Sequence, residues 1–391
     1  MSVRAGLEVL CEDRASLVRG RRVGLLAHQA SVDRHLAHAI ERLLGAGARL
    51  ERLFAPEHGV AGGHQDMIAV HERRDPVSGL PVVSLYGADE ASLAPRPADV
   101  EGLDLLVADL VDVGARYYTF FATVVRCLPV LAAAGVPLLV LDRPNPLGGV
   151  GIEGGPVEPR FASFVGELDV PNRHGLTLGE LVLLAARQRG LEAGLEVVPA
   201  DGWRREQWWD GTGLPWVGPS PNMPTLDTAV VYPGGCLYEG TNLSEGRGTT
   251  RPFELVGAPW LDPRRLAHRL ARWSLPGCVF RPVAFVPGFQ KHAGQVCGGV
   301  QVHVTSRHDF RPVLTGLAVV AAARAQDPGS FRWRDEPYEF VSDRLAFDLL
   351  AGGTAWREAL EAGADPREIA AGWRSHERAF AARRRDLLLY H

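Results

Sequence analysis

Short apolar runs and amphipathic stretches take turns along the first half of the chain. The run Arg22-Val-Gly-Leu-Leu-Ala27 is apolar after its first residue, the pattern of a strand buried on both faces of a parallel sheet. Further strand-like runs stand at 49–54, 81–85, 104–110, 136–141 and 195–199. Helix-period stretches at 33–44, 119–134 and 177–189 fall between them, the last opening with Thr177-Leu-Gly-Glu180, a capping box. This alternation predicts crossover connections, hence an α/β, Rossmann-like doubly wound parallel sheet. No GxGxxG follows the first strand, so a dinucleotide is not implied.

The pattern changes at 201–224, where Trp203, Trp208, Trp209 and Trp216 precede Pro219-Ser-Pro-Asn-Met-Pro224. A domain junction is expected here, separating a Rossmann-like domain at 1–205 from a smaller α+β domain at 206–391. The second half carries a glycine-rich loop at 232–251, helix-period stretches at 263–273, 313–325 and 367–388, and strand-like runs at 279–285 and 299–304. The Trp cluster reads better as interdomain core than as a platform for sugar faces, although aromatic rings serve both ends.

Charge and cysteine usage narrow the function. Among 391 residues, 46 Asp and Glu face 42 Lys and Arg, a net charge of −4 that argues against nucleic acid as the partner. No apolar stretch approaches the roughly 18 residues of a membrane helix, and Glu8, Glu12 and Asp13 stand where a secretion signal would be apolar. The expectation is a soluble, cytoplasmic protein without membrane contact. Cys11, Cys127, Cys236, Cys278 and Cys297 are odd in number and form no CxxC, so neither a disulfide framework nor a zinc site is expected. The cationic total holds one Lys, Lys291, and the chain has four Asn: Asn145, Asn172, Asn222 and Asn242. Under a bias this strong toward Arg, the rare residues mark positions where geometry or chemistry resists replacement.

Candidate chemistry gathers at strand ends, where open α/β sheets bind ligands. The run at 49–54 leads into Glu57 and His58, a candidate general acid or base and its neighbour, unless Glu57 only caps a solvated loop. The run at 104–110 delivers Asp109, Asp112, Arg116 and Tyr117. The two Asp are either substrate ligands or halves of structural ion pairs, while Arg116 and Tyr117 favour substrate contact because a guanidinium grips a carboxylate bidentately. The run at 136–141 leads into Asn145. In the second half, the loop 239–252 packs Glu239, Asn242, Glu245, Arg247, Thr250 and Arg251 between glycines at 240, 246 and 248, which permit positive φ and close approach to a ligand. Phosphate binding is a rival for such a loop, but there is no GxxxxGK[ST]. Lys291 and His174 are equally open to a binding or a structural reading. HExxH and GxSxG are missing, which removes support for metallohydrolase and serine-hydrolase chemistry.

Six segments together resemble one family: PEHG at 56–59, DVGxRxYT at 112–119, LDRPNPxGG at 141–149, RHGxTxGE at 173–180, GLPWxxPSPNMPT at 213–225 and LYEGTNLSEGRGTTRPFE at 237–254. They are similar to those of the NamZ-type exo-β-N-acetylmuramidases, long catalogued as a domain of unknown function, and the likeness runs over nearly the full chain. The resemblance implies release of terminal β-linked N-acetylmuramic acid from the non-reducing end of peptidoglycan fragments, from a cleft between a Rossmann-like and an ancillary domain, without metal or cofactor. It implies an oligosaccharide substrate, MurNAc-GlcNAc or a muropeptide. Glycoside hydrolysis uses two carboxyl groups, which Glu57 with Glu239 or Glu245 would supply. Asp109, Asp112, Tyr117, Asn145, Asn222, Asn242 and Thr250 would bind substrate, and Arg116, Arg247 or Arg251 would read the lactyl carboxylate that distinguishes muramic acid from glucosamine. The family's usual DxQD stands here as Asp109-Leu-Val-Asp112, without the amide, and the acidic N-terminus points to recycling of muropeptides inside the cell. A muropeptide sensor without turnover is the rival from another class; a nucleotide-dependent enzyme would rest on fold analogy alone.

Overall fold

The computed structural model describes residues 2–65, 67–70 and 74–391. Six strands, β1 (Arg22–Ala27), β2 (Arg49–Ala55), β3 (Val82–Ser84), β4 (Leu105–Asp109), β5 (Leu138–Leu141) and β6 (Leu195–Val198), form one sheet in the order β3-β2-β1-β4-β5-β6. All pairings are parallel, the doubly wound arrangement expected from the alternating pattern. Leu53, Leu25, Val107 and Leu139 bury one face and Phe54, Leu26, Leu106 and Val140 the other, which is why β1, β4 and β5 read as continuous apolar runs and β2 does so at its end.

The helix Leu178–Arg189 begins where expected, with Thr177 accepting from the Glu180 amide at 3.2 Å while Glu180 accepts from the Thr177 amide at 3.0 Å. The helix expected at 33–44 is shorter, Ala39–Gly45. Asp33 instead accepts from the His35 and Ala37 amides at 2.8 and 2.9 Å, a local turn that competes with helix. The stretch 367–388 is likewise divided, into helices Pro366–Ala371 and Arg374–Arg383 with Gly372 between them.

The second half adds β7 (Leu255–Ala258), β8 (Cys278–Phe285) and β9 (Cys297–Val304) in an antiparallel sheet ordered β7-β9-β8. The helix Leu226–Gly235 packs on the helix Pro312–Gln326, where Gly234 and Gly316 let the two backbones touch. The chain's end returns to the first half, since the Tyr390 hydroxyl donates to Asp142 at 2.6 Å and Trp203 meets the Tyr390 ring edge-on at 4.9 Å. Trp203 and Trp209 are buried in this apolar cluster, so the Trp-rich segment is core, as preferred. Among the described residues no helix is long and apolar enough to cross a membrane, and the five cysteines are free thiols.

Candidate active site

The ends of β2 and β4 meet the second half across a narrow cavity of about 40 Å³. Its floor on the sheet side is Glu57 and His58, which follow β2, and Tyr117, Tyr118 and Thr119, which follow β4. Ser220, Asn222 and Met223 arrive from the segment between the halves. Tyr232, Glu239, Arg247, Phe253, Tyr338 and Glu339 close the far wall.

Glu57 is held by both oxygens, accepting from the Thr119 hydroxyl at 2.7 Å and from the Met67 amide at 3.3 Å. The carboxyl is 5% exposed, so it faces an enclosed space and not bulk water. His58 turns the chain at φ 72, and its Nδ1 lies 2.8 Å from the His64 carbonyl, to which it donates, so the ring is fixed with Nε2 on its far side.

The opposite wall is an ionic chain. The Lys291 ammonium meets Glu245 at 2.7 Å, Glu245 meets Arg247 Nε at 2.8 Å, Arg247 reaches Glu239 at 2.7 Å, and the Tyr338 hydroxyl donates to the other oxygen of Glu239 at 2.8 Å. Burial alone would push the Glu245 carboxyl up, but Lys291 and Arg247 outweigh it and hold the group below its usual value. Burial, and then the charge of Glu239, raises Tyr338 well above an ordinary phenol, so its proton stays on as donor to that carboxylate. Burial likewise raises Tyr118 and Tyr232. The Tyr118 hydroxyl, buried beside Ser220, makes no well-formed hydrogen bond, a donor that a ligand would satisfy.

Of the residues singled out in the sequence, the structure brings Glu57, His58, Tyr117, Asn222, Glu239 and Arg247 to this cavity. The Tyr117 hydroxyl is already donated to the Pro233 carbonyl, and Asn222 bonds Gln65 at 2.9 Å. Glu245 does not line it and serves instead as the link between Lys291 and Arg247. Arg116 is fully buried elsewhere, giving its protons to the carbonyls of Gly155, Val170 and Leu350 at 2.8–2.9 Å. Burial lowers it to about 10, and it cannot reach a substrate. Asp109 is the structural ion pair weighed as its alternative, bound twice by Arg143 at 2.5 and 2.8 Å. Asp112 does not line the cavity but is buried near Arg143 and Asn145 with the Gly114 amide on one oxygen, and burial pushes it up to about 7. Asn145 ties the Leu147 amide to the Leu176 carbonyl and sits where a Cβ on Gly114, at φ 76, would approach its side-chain oxygen to 2.6 Å. Thr250 and Arg251 point outward, the latter toward Glu254 at 3.4 Å. In the glycine-rich loop, Gly246 and Gly248 take positive φ as expected, whereas Gly240 is required by the Phe347 backbone lying against it.

Lys291 spends its remaining donors on the Tyr238 and Thr241 carbonyls, at 2.9 and 3.1 Å, and is structural. His174 is fully buried, accepting from the Leu176 amide at 3.1 Å. Sequence reading did not single out Tyr338 and Glu339, which sit in an irregular loop without periodicity or motif. Glu339, at φ 46, accepts from the Tyr86 hydroxyl at 2.9 Å. A visible signal was an acidic run, Asp335-Glu-Pro-Tyr-Glu339, too polar to be core and interrupted by Pro. Strain marks the place more clearly. Of the nine described non-glycine residues with positive φ, His58, Phe253 and Glu339 line this cavity. Each such residue costs on the order of 1–3 kcal/mol and persists where surrounding structure enforces it, commonly at functional sites.

Residues 23–227 match the family model "Exo-beta-N-acetylmuramidase NamZ, N-terminal" and residues 230–390 its C-terminal counterpart. The chain is 40% identical over 389 residues to the peptidoglycan beta-N-acetylmuramidase NamZ of Bacillus subtilis (strain 168), covering 99% of this chain and 91% of that protein. Two crystal structures of DUF1343 family proteins from Bacteroides fragilis superpose over 100% of this chain and 99% of theirs. Their TM-scores are 0.88 and 0.78, at 32% and 26% identity.

Proposed function

Since the chain belongs to the NamZ exo-β-N-acetylmuramidase family and is a glycosidase, we propose that its narrow cavity holds the terminal N-acetylmuramic acid with Glu57 as general acid and Glu239 as the opposed carboxylate. The observation that carries this reading is the pairing of two buried carboxyl groups from different halves of the chain across one cavity. Glu57, aligned by Thr119 and the Met67 amide, protonates the departing glycosidic oxygen. Glu239 accepts from a guanidinium and a phenol, both donors to its ionised form, and faces the positive charge that builds on the sugar. His58 beside Glu57 lines the same cavity, its ring fixed by the His64 carbonyl.

The lactyl carboxylate needs a reader. Arg116 and Arg251 lie away from the cavity, and Arg247 is already shared by two carboxylates. A guanidinium so neutralised adds little attraction for a third anion. Recognition therefore falls to neutral donors, chiefly the Tyr118 hydroxyl and the Asn222 amide, which accept a carboxylate without leaving a buried charge when the site is empty. Five free thiols suit a reducing compartment, in keeping with recycling of muropeptides in the cytoplasm.

The test is release of 4-nitrophenol from its β-N-acetylmuraminide and β-N-acetylglucosaminide. The expected result is turnover of the muraminide with little of the glucosaminide, because the latter leaves the lactyl-reading donors unpaired. Equal rates on both would sink this reading.

A further inference from the structure

A second, wider cavity of about 630 Å³ adjoins the first, in the range of small-ligand sites. Three contacts make the two neighbours. Met67 donates its amide to Glu57 while its side chain lines the second cavity. The Arg334 guanidinium, also in that lining, lies 5.1 Å over the ring of Tyr338, which holds Glu239. Thr241 and Asn242 line it from the same loop that carries Glu239. We propose that this cavity is the leaving-group subsite, which receives the N-acetylated hexose released when the terminal muramic acid is cut off. The proposal rests on the muramidase reading and names what that reading leaves open, the path of the departing glycan.

An exo-acting enzyme holds one sugar in an enclosed pocket, so the rest of the glycan must pass the residue that protonates the leaving oxygen. Met67, its amide on the Glu57 carboxyl, stands between that acid and the second cavity. Its chemistry fits a neutral, hydroxyl-rich ring. Trp333 is a rigid aromatic platform, packed against Phe347 at 4.6 Å and Phe331 at 5.0 Å, with its N–H fixed on Glu361 at 2.8 Å. Around it, Arg332, Arg334, Asp335 and Glu336 mix donors and acceptors of both signs, while the Lys291 charge is consumed by Glu245. Such a lining has no net field for an anion or a cation, but it matches pairs of neighbouring hydroxyls. Met67, Gln290 and His292 in this lining adopt φ values of 57, 60 and 58, a second concentration of strained backbone.

The experiment compares two binding modes. MurNAc-GlcNAc spans both cavities, whereas free N-acetylmuramic acid, as an inhibitor, fills only the first. In Trp333→Ala the ratio of the disaccharide KM to the N-acetylmuramic acid Ki should rise about tenfold, and in the exposed Asp335→Ala at least threefold. In parallel, methyl β-N-acetylglucosaminide should show saturation-transfer NMR contacts with the wild-type chain that Trp333→Ala loses. Ratios unchanged in both variants, or NMR contacts that survive Trp333→Ala, would overturn the subsite. Should Trp333→Ala fail to fold, Asp335→Ala decides alone, by the same ratio and by loss of the NMR contacts. A wild-type chain that turns over neither disaccharide nor aryl muraminide would instead refute the muramidase reading, with the NMR contacts still deciding the subsite.

Discussion

Replacing the only lysine tests whether the ionic chain behind the cavity is a mechanical support for Glu239. Lys291→Met removes hydrogen bonds to the Tyr238 and Thr241 carbonyls, at 2.9 and 3.1 Å, and a 2.7 Å ion pair to Glu245, which is 2% exposed. Stripping one partner from a buried pair costs about 3–5 kcal/mol because the other charge stays buried. Lys291 retains some contact with water, so about 2–4 kcal/mol is the expected loss. For a cooperative unit of 150–250 residues that lowers Tm by roughly 2–4 °C per kcal/mol, hence on the order of 10 °C. The sign with pH follows from the wild-type Glu245 carboxyl, held below the ordinary 4.5 of a glutamate. A depressed carboxyl contributes stability above its unfolded pKa, and this is lost as pH falls through its folded pKa. Without Lys291 the burial effect prevails and Glu245 takes up a proton more readily. The gap between wild type and variant should therefore be full at pH 7, begin to narrow above about 4.5 as the variant's Glu245 takes up its proton, and narrow further below about 4.5 as the wild-type carboxylate is titrated. Calorimetry or urea melts from pH 4 to 8 measure it. A Tm loss under 1 °C at pH 7, or a gap independent of pH, would refute the support role.

Asp112 runs the other way. Burial raises it to about 7 from 3.8, so the folded state holds an extra proton across that window and stability falls as pH climbs from about 4 to 7. Asp112→Asn keeps the bond to the Gly114 amide and should lose this slope, overtaking the wild type above pH 7 by at most on the order of 4 kcal/mol; parallel urea-melt profiles would contradict it. Glu239→Gln should lower kcat on MurNAc-GlcNAc at least a hundredfold, as expected when charge stabilisation is removed from an enclosed site. Because it also leaves Arg247 one carboxylate short, it should cost about 1–3 kcal/mol in urea melts; near-normal turnover would move the opposed carboxylate to Glu339.

The sheet was legible because burial on both faces leaves a continuous apolar run, which β1, β4 and β5 carry almost to their ends, while β2 is buried throughout only in its last three residues and the edge strand β6 only at its last. Local hydrogen bonding was harder to foresee, as at Asp33, whose side chain diverts the backbone from the expected helix. The site was half legible. Glu57 and Glu239 stand at a strand end and in a glycine-rich loop, positions with a general physical meaning. Arg116 and Asp109 looked the same in the sequence, but a charge buried by packing and one aimed at a ligand differ only in what the fold places opposite them. Arg116 meets three carbonyls and Asp109 meets Arg143, partners distant along the chain. Glu339 was hidden for the converse reason. Its place depends on positive φ at two successive residues, Glu339 and Phe340, and on Tyr86 from the first half, none of which a local pattern encodes.

The central claim is that Glu57 delivers the proton. Glu57→Ala should lose about 10²–10⁴ in kcat/KM on MurNAc-GlcNAc, whose sugar leaving group needs protonation. On 2,4-dinitrophenyl β-N-acetylmuraminide, whose leaving group departs unprotonated, the loss should stay below about tenfold, and the alkaline limb of the pH–rate profile should disappear. Equal losses on both substrates, with the alkaline limb intact, would contradict the assignment.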